Sequence, residues 1–425
     1  TPPMSSLSPA SPPSHKNTTK PLPPGWKWVT LGELSLLISK GTTPTSLGQK
    51  YSDDGIPFLR AEDVNGWEIE VDKIPLHISQ ETDEILSRSQ LHPGDFVITI
   101  AGTLGRVGYI PHNASYINCN QAVAFARIDK LKVDVQFLCL ICRVELVIGK
   151  LLELKMGGAL QNLNLQQIRQ FKIPLPPLPE QKRIAAILKE QLAAVDKARK
   201  AAGERLEAVK ALPAAFLRKV FPRPGQPLPE GWRWVKLGEV TKVVNGTTPA
   251  SENKLYWNGD IVWITPTDLG KLDRPEITNS ERRISTAGFN TSNLTLVPPG
   301  TVVLSSRAPI GHLGIATLEL CTNQGCKSFV PGYQIDTYFL YYSLKKSVPK
   351  LKEIGRGPTF DEISKSQCER FDIPIPILSE QKRIATILSE QMVSVVKALK
   401  AAEEELKTIN ALPAAILRKA FNGEL

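Results

Sequence analysis

The chain has 425 residues, enough for two or three domains, and its 42% hydrophobic content supports ordinary cores. Its 52 Lys and Arg against 42 Asp and Glu leave a charge of +10, a moderate excess that suits a polyanion such as DNA without requiring one. Six cysteines make no disulfide framework, no signal peptide is visible, and no apolar run reaches the ~20 residues of a membrane span, so a protein of a reducing cytoplasm with no membrane partner is expected.

Residues 1–20 are Pro/Ser/Thr-rich, bury nothing, and are expected to be a disordered tail. From Leu22 the phrase LPPGWKWVTLGEL returns at Leu228 as LPEGWRWVKLGEV, with Trp26 and Trp28, and Trp232 and Trp234, opening a strand. Gly41–Pro44 then matches Gly246–Pro249, and Ile56–Arg60 with Asp63 matches Ile261–Thr265 with Asp268. Pro93–Ile98 matches Pro299–Leu304, a turn feeding a buried strand. Gly102, Gly105 and Gly108 have dinucleotide-loop spacing, but Tyr109 and Pro111 follow where a helix should start, so a tight turn is expected. Asn118–Gln121 matches Cys321–Gln324. Helices are expected over Val135–Leu154 and Tyr338–Ile354. Cys139 and Cys142 lie in the first, within an apolar run, and read as core thiols. A polar segment follows (Gly157–Asn162, Gly357–Glu362), then a short strand and a proline elbow, with Pro179 in a first helical turn and Ser379 as an N-cap.

The next stretch organises the chain. Glu180–Phe221 returns as Glu380–Phe421 with 27 of 42 positions identical. Positions 184, 188, 191, 195, 198, 202, 205, 209 and 212 form a mostly apolar seam at steps of four and three, repeated from Ile384 to Leu412. Pro213 and Pro413 are expected to end the helices, giving about 33 residues or about 50 Å each.

The sequence carries no phosphate loop, no paired histidine spacing for a metal, and no Asn/Asp-Pro-Pro-aromatic tetrapeptide of a base-flipping methyltransferase. No catalytic residue and no metal ligand is assigned. Binding chemistry is better represented, in loops. Arg60, Arg106, Arg307 and Arg356 suit phosphate or guanine, and Gln121, Gln161, Asn162 and Gln324 suit adenine. Thr42, Thr43, Thr247, Thr248, Thr265 and Thr359 offer hydroxyls, and Lys327 a cation. The plainer alternative stays open for each: a Thr before Pro caps a turn, and a buried amide satisfies backbone.

The doubled IPxPxLxEQKRIAxIL segment (Ile173–Leu188, Ile373–Leu388), the LPxGWxWxxLGE openings and the GxTP turns resemble the specificity subunit of type I restriction–modification systems, from residue 22 to 425. The resemblance implies an α+β fold of two mixed α/β target recognition domains separated by two long antiparallel, coiled-coil-like helices with an internal pseudo-two-fold repeat. The expected division is recognition domains at 21–178 and 223–378 and helical regions at 179–222 and 379–425. It also implies that the chain is not an enzyme: each domain reads half of a bipartite site in double-stranded DNA, and the helices set the spacer and dock two copies of an adenine-methyltransferase subunit, with restriction subunits beyond. S-adenosylmethionine, ATP and Mg are then expected on those partners and no cofactor here. Lys182, Arg183, Arg218, Lys219, Lys382, Arg383, Arg418 and Lys419, identical between the helices and expected to be exposed, are the docking candidates.

Overall fold

In the computed structural model, which describes residues 22–144, 147, 149, 162–223, 225–357 and 361–425, the tryptophan-bearing openings become strands paired to the proline elbows. Strand β1 (Lys27–Thr30) precedes β2 (Ser35–Lys40), β3 (Ile56–Leu59), β4 (His77–Ile78), α1 (Gln80–Ile85), β5 (Gln90–Leu91), β6 (Phe96–Thr99), β7 (Val107–Tyr109), β8 (Ile117–Cys119) and β9 (Val123–Ile128). Then come α2 (Val135–Cys142), α3 (Leu165–Gln170), β10 (Lys172–Leu175) and the long α4 (Leu178–Val220). The repeat supplies β11 (Arg233–Lys236), α5 (Leu237–Val240), β12 (Thr241–Asn245), β13 (Trp257–Ile264), α6 (Pro266–Gly270), β14 (Glu276–Ile277), β15 (Arg282–Ile284) and α7 (Thr286–Thr291). It ends with β16 (Val302–Ser305), β17 (Leu313–Ala316), β18 (Leu320–Thr322), β19 (Cys326–Pro331), α8 (Thr337–Ile354), α9 (Lys365–Glu369), β20 (Asp372–Ile375) and α10 (Leu378–Phe421).

The chain divides into two compact units, residues 1–201 with 406–425, and residues 202–405. In the first, sheets run β2-β9-β6-β7 and β4-β3-β8-β5; in the second, β12-β19-β16-β17-β14 and β15-β13-β18. β1 pairs antiparallel with β10, and β11 with β20, in matching register (Trp28 opposite Pro174, Trp234 opposite Pro374). Cys139 and Cys142 lie in the first core, where burial pushes both thiols up. Gly102 and Gly105 take left-handed φ of 71° and 80°, as a tight turn requires.

Each unit's core contains the start of one long helix and the end of the other. Ile184, Ala185 and Leu188 pack in one cluster with Leu417, Ala420 and Phe421. Ile384, Ala385 and Leu388 likewise share a cluster with Leu217 and Phe221. The helices therefore run antiparallel within each unit. Arg199 donates to Asn410 at 2.9 Å in the first, and Arg205 pairs with Glu405 at 2.8 Å in the second. Seam positions Ile184, Leu188, Val195 and Ala202 are buried, as are Ile384, Leu388, Val395 and Ala402.

The helices do not stop at the prolines. They run through Pro213 and Pro413 to Val220 and Phe421, 43 and 44 residues, or about 65 Å. A proline inside a helix costs about 3 kcal/mol. The turns beyond it bury Leu217 and Phe221, or Leu417 and Phe421, at about 1.5–3 kcal/mol per side chain, which offsets the break. The expected seam already opens at its last position, just before the proline, where Leu412 is 38% exposed. Ser379 is not an N-cap either. The helix starts at Leu378, and the amides of Glu380 and Gln381 donate to the Ile377 carbonyl.

Buried Gln181 and Gln381 secure the helix starts. Gln181 Nε2 donates to the carbonyls of Pro176 and Lys132, and its Oε1 accepts from the Asp134 amide. Gln381 makes the same three bonds with Pro376, Gln334 and Asp336. Asp134 and Asp336 are themselves the N-caps of α2 and α8. Replacing Gln381 with Ala strands the buried Pro376 carbonyl, the Gln334 carbonyl and the Asp336 amide. The expected loss is about 3 kcal/mol of stability, measured by urea unfolding, with Gln181→Ala losing as much.

Candidate nucleic-acid interface

Five segments meet at one edge of each domain, joined by a matching set of backbone hydrogen bonds. In the first, the Thr42 amide donates to Cys119 O, Asn120 N to Leu59 O, Ile100 N to Ala122 O and Leu163 N to Ile100 O. The second repeats the set: Thr247 to Thr322, Asn323 to Ile264, Ser306 to Gly325 and Ile363 to Ser306. Glycine is required where the first segment crosses the fourth. A Cβ on Gly41 would overlap the carbonyls of Cys119 and Asn120, and one on Gly246 those of Thr322 and Asn323. The asparagine side chains brace the turn from within, Oδ1 of Asn120 accepting from Ala122 N and Oδ1 of Asn323 from Gly325 N. Gln121 and Gln324 are left exposed at the two tips.

This edge gathers Thr42, Thr43, Arg60, Gln121 and Asn162 in the first unit and Thr247, Thr248, Thr265, Arg307, Gln324 and Lys327 in the second. Several side chains are engaged locally. Arg60 meets Glu62 at 2.5 Å and Asp63 at 3.4 Å. Thr248 Oγ1 accepts from Asn323 Nδ2 at 2.9 Å. Thr265 caps α6, its hydroxyl donating to Asp268 at 2.6 Å. Thr43 precedes a short helical turn that its side chain does not cap. Arg106 stands beyond the β6–β7 turn, donating to Asn65 at 2.9 Å. Arg356 is exposed after α8. Gln161 and Thr359 fall outside the described residues. In the second unit Gln324 and Lys327 line a cleft of about 520 Å³ with Asn245, Gly246, Glu362, Ser364 and Lys365.

The docking candidates are exposed at the helix ends. The antiparallel packing brings Lys182 and Arg183 to the same end of the first unit as Arg418 and Lys419. Lys382 and Arg383 likewise join Arg218 and Lys219 in the second. Arg183 and Arg383 are each clamped on the glutamate three residues back, through two bonds of 2.6–2.8 Å. Those bonds hold the Glu180 and Glu380 carboxyls below the usual range. Among the described residues no group of three His, Cys, Asp or Glu is placed to hold a metal, and no helix is long and apolar enough to cross a membrane.

The family model described as "Type I restriction modification DNA specificity domain" matches residues 23–204 and again 229–407. The chain belongs to this family. Among type I specificity subunits of Methanocaldococcus jannaschii, MjaIX is 39% identical over 164 residues, 38% of each chain, and MjaX is 26% identical over 86% of each. The HsdS subunit from Thermoanaerobacter tengcongensis superposes with a TM-score of 0.66 at 29% identity, covering 96% of this chain and 99% of that one. A chain from a structural study of complex assembly and conformational transition of the type I R-M system gives 0.76 at 28% identity, covering 96% and 100%. This specificity subunit thus carries its family's domain twice, and the expected α+β repeat with long helices is its fold.

Reading the sequence for donors and acceptors missed Asn120, Asn323, Gln181 and Gln381. The two glutamines stand in the identical EQKR tetrads, which is the signal that could have found them. Gly246→Ala is expected to displace the Thr322–Gly325 turn and cost about 1–3 kcal/mol. Thermal unfolding checks this, with Gly203→Ala as the control, since a Cβ there meets open space.

Proposed function

We propose that this chain is the non-catalytic DNA-recognition subunit of a type I restriction–modification complex, working in the cytoplasm of a prokaryote. Each domain reads one half of a bipartite, asymmetric site in duplex DNA through its loop edge. The long helices set the unread spacer and dock two methyltransferase subunits through the twin basic clusters. Restriction subunits join through those partners, and S-adenosylmethionine, ATP and Mg belong to the partner subunits.

The observation that carries this reading is the contrast within the loop edge. The backbone bonds of the two copies correspond one to one, while the side chains they present differ. Arg60 stands where Thr265 does, Ala124 where Lys327 does, and Asn162 where Glu362 does. A fixed frame with exchanged polar groups is what two readers of different sequences need, because base edges are told apart by donor and acceptor patterns. The charge of +10 supplies sequence-independent attraction to phosphate.

Two experiments test it. Replacing residues 22–172 with the same domain of a relative, in the complex with a methyltransferase subunit, is expected to change one half of the methylated motif and leave the other; a change in both or neither contradicts two independent readers. The purified chain given S-adenosylmethionine and DNA is expected to transfer no methyl group, and transfer would overturn the non-catalytic reading.

A further inference from the structure

Lys327 is a buried cation in the second domain's sheet, only 4% exposed. It lies on β19, an interior strand, opposite Asn245 on β12 and Leu304 on β16. Its Nζ is 3.2 Å from Ser306 Oγ and 3.6 Å from the Glu362 carboxylate. All three line or adjoin the cleft beside exposed Gln324.

The first domain shows that the fold does not need this arrangement. By ladder register Lys327 corresponds to Ala124, which faces Lys40 and Ile98. By the shared loop bonds Ser306 corresponds to Ile100. Ala124 and Ile100 pack in an apolar core. An ammonium taken from water is costly, and an apolar replacement of similar size is commonly as stable or more so. A cation kept where the sister domain holds a methyl group therefore points to something outside the chain.

The hydrogen-bond inventory says what. An ammonium has three donors and a carboxylate has four acceptor sites. Among the described residues, Ser306 uses one donor. At 3.6 Å, Lys327 and Glu362 are too far apart to consume each other's hydrogen-bonding capacity. A donor and an acceptor thus stand side by side at the cleft. A phosphate fits poorly, because Glu362 repels it. A base-pair edge with adjacent acceptors and a donor fits both. In the major groove guanine O6 and N7 accept and cytosine N4 donates.

We infer that Lys327 and Glu362 together read one G·C pair in the half-site of the second domain, Lys327 donating to guanine O6 or N7 and Glu362 accepting from cytosine N4. This rests on the DNA-reading function proposed above and deepens it. Ser306 is a positioning residue.

The test is the methylome of cells expressing the chain with its methyltransferase subunit, wild type against K327M and E362Q. Wild type is expected to show G·C at one position of the half-site assigned to the second domain. Each variant should lose discrimination there by about 10- to 100-fold, with the other positions and the other half-site intact. The double variant S306I/K327A installs the sister domain's apolar pair, keeps the fold, and should show the same single-position loss even if K327M is insoluble. No G·C in that half-site, an unchanged motif in all variants, or an equal loss at every position would overturn the inference while leaving the two-reader function standing. A wild-type complex that methylates no bipartite motif would overturn both.

Discussion

Two buried side-chain amides hold this molecule's geometry. Gln181 and Gln381 each join three separate backbone segments: the proline elbow, the loop before a domain helix, and the first turn of a long helix. A helix attached only through its own first turn could swivel about the elbow. With the amide satisfied on both its oxygen and its nitrogen, rotation would strand buried polar groups, so helix direction and domain orientation are fixed together. The adjoining β1–β10 and β11–β20 pairs add a second attachment at the same elbow. Whatever a loop edge reads is thereby tied to the direction of the helix that leaves its domain.

Much of the fold was legible because the chain states it twice. Repeated tryptophans, glycines and prolines marked strands and turns, and apolar spacing marked the long helices. Pro213 and Pro413 misled because local propensity was weighed without the burial of Leu217 and Phe221, or Leu417 and Phe421, beyond them. Ser379 misled for a related reason: a good capping residue was one position inside the helix. The loop edge was legible in its components but not in its assembly. Thr248, Thr265 and Arg60 had the chemistry of DNA contacts, yet each engages a neighbour that sequence distance hides or that a turn brings close. Asn120 and Asn323, which the sequence did not single out, serve as braces. Lys327 was among the DNA-contact candidates, and only the sheet register exposed its contrast with Ala124.

The repeat separates what must be the same from what is free to differ. Positions that fix backbone, such as Gly41 and Gly246 or Gln181 and Gln381, are identical because sterics or hydrogen bonding leaves little alternative. Positions the frame merely presents vary without disturbing it. Ile100 and Ala124 can become Ser306 and Lys327 because the ladder bonds around them are made by main chain. A recognition surface can then change its chemistry while the scaffold stays constant.

The shared ownership of the cores has a temporal side. Leu417, Ala420 and Phe421 complete the first unit's core, yet more than two hundred residues separate them from Leu188. A ribosome makes the second domain before it delivers those three side chains. The first domain therefore spends most of its synthesis with an open apolar face around Ile184 and Leu188. The second meets its borrowed segment, Leu217 and Phe221, before its own strands exist. Two units nearly alike in structure are thus born in opposite order, and the earlier one is exposed to chaperones and proteases for longer.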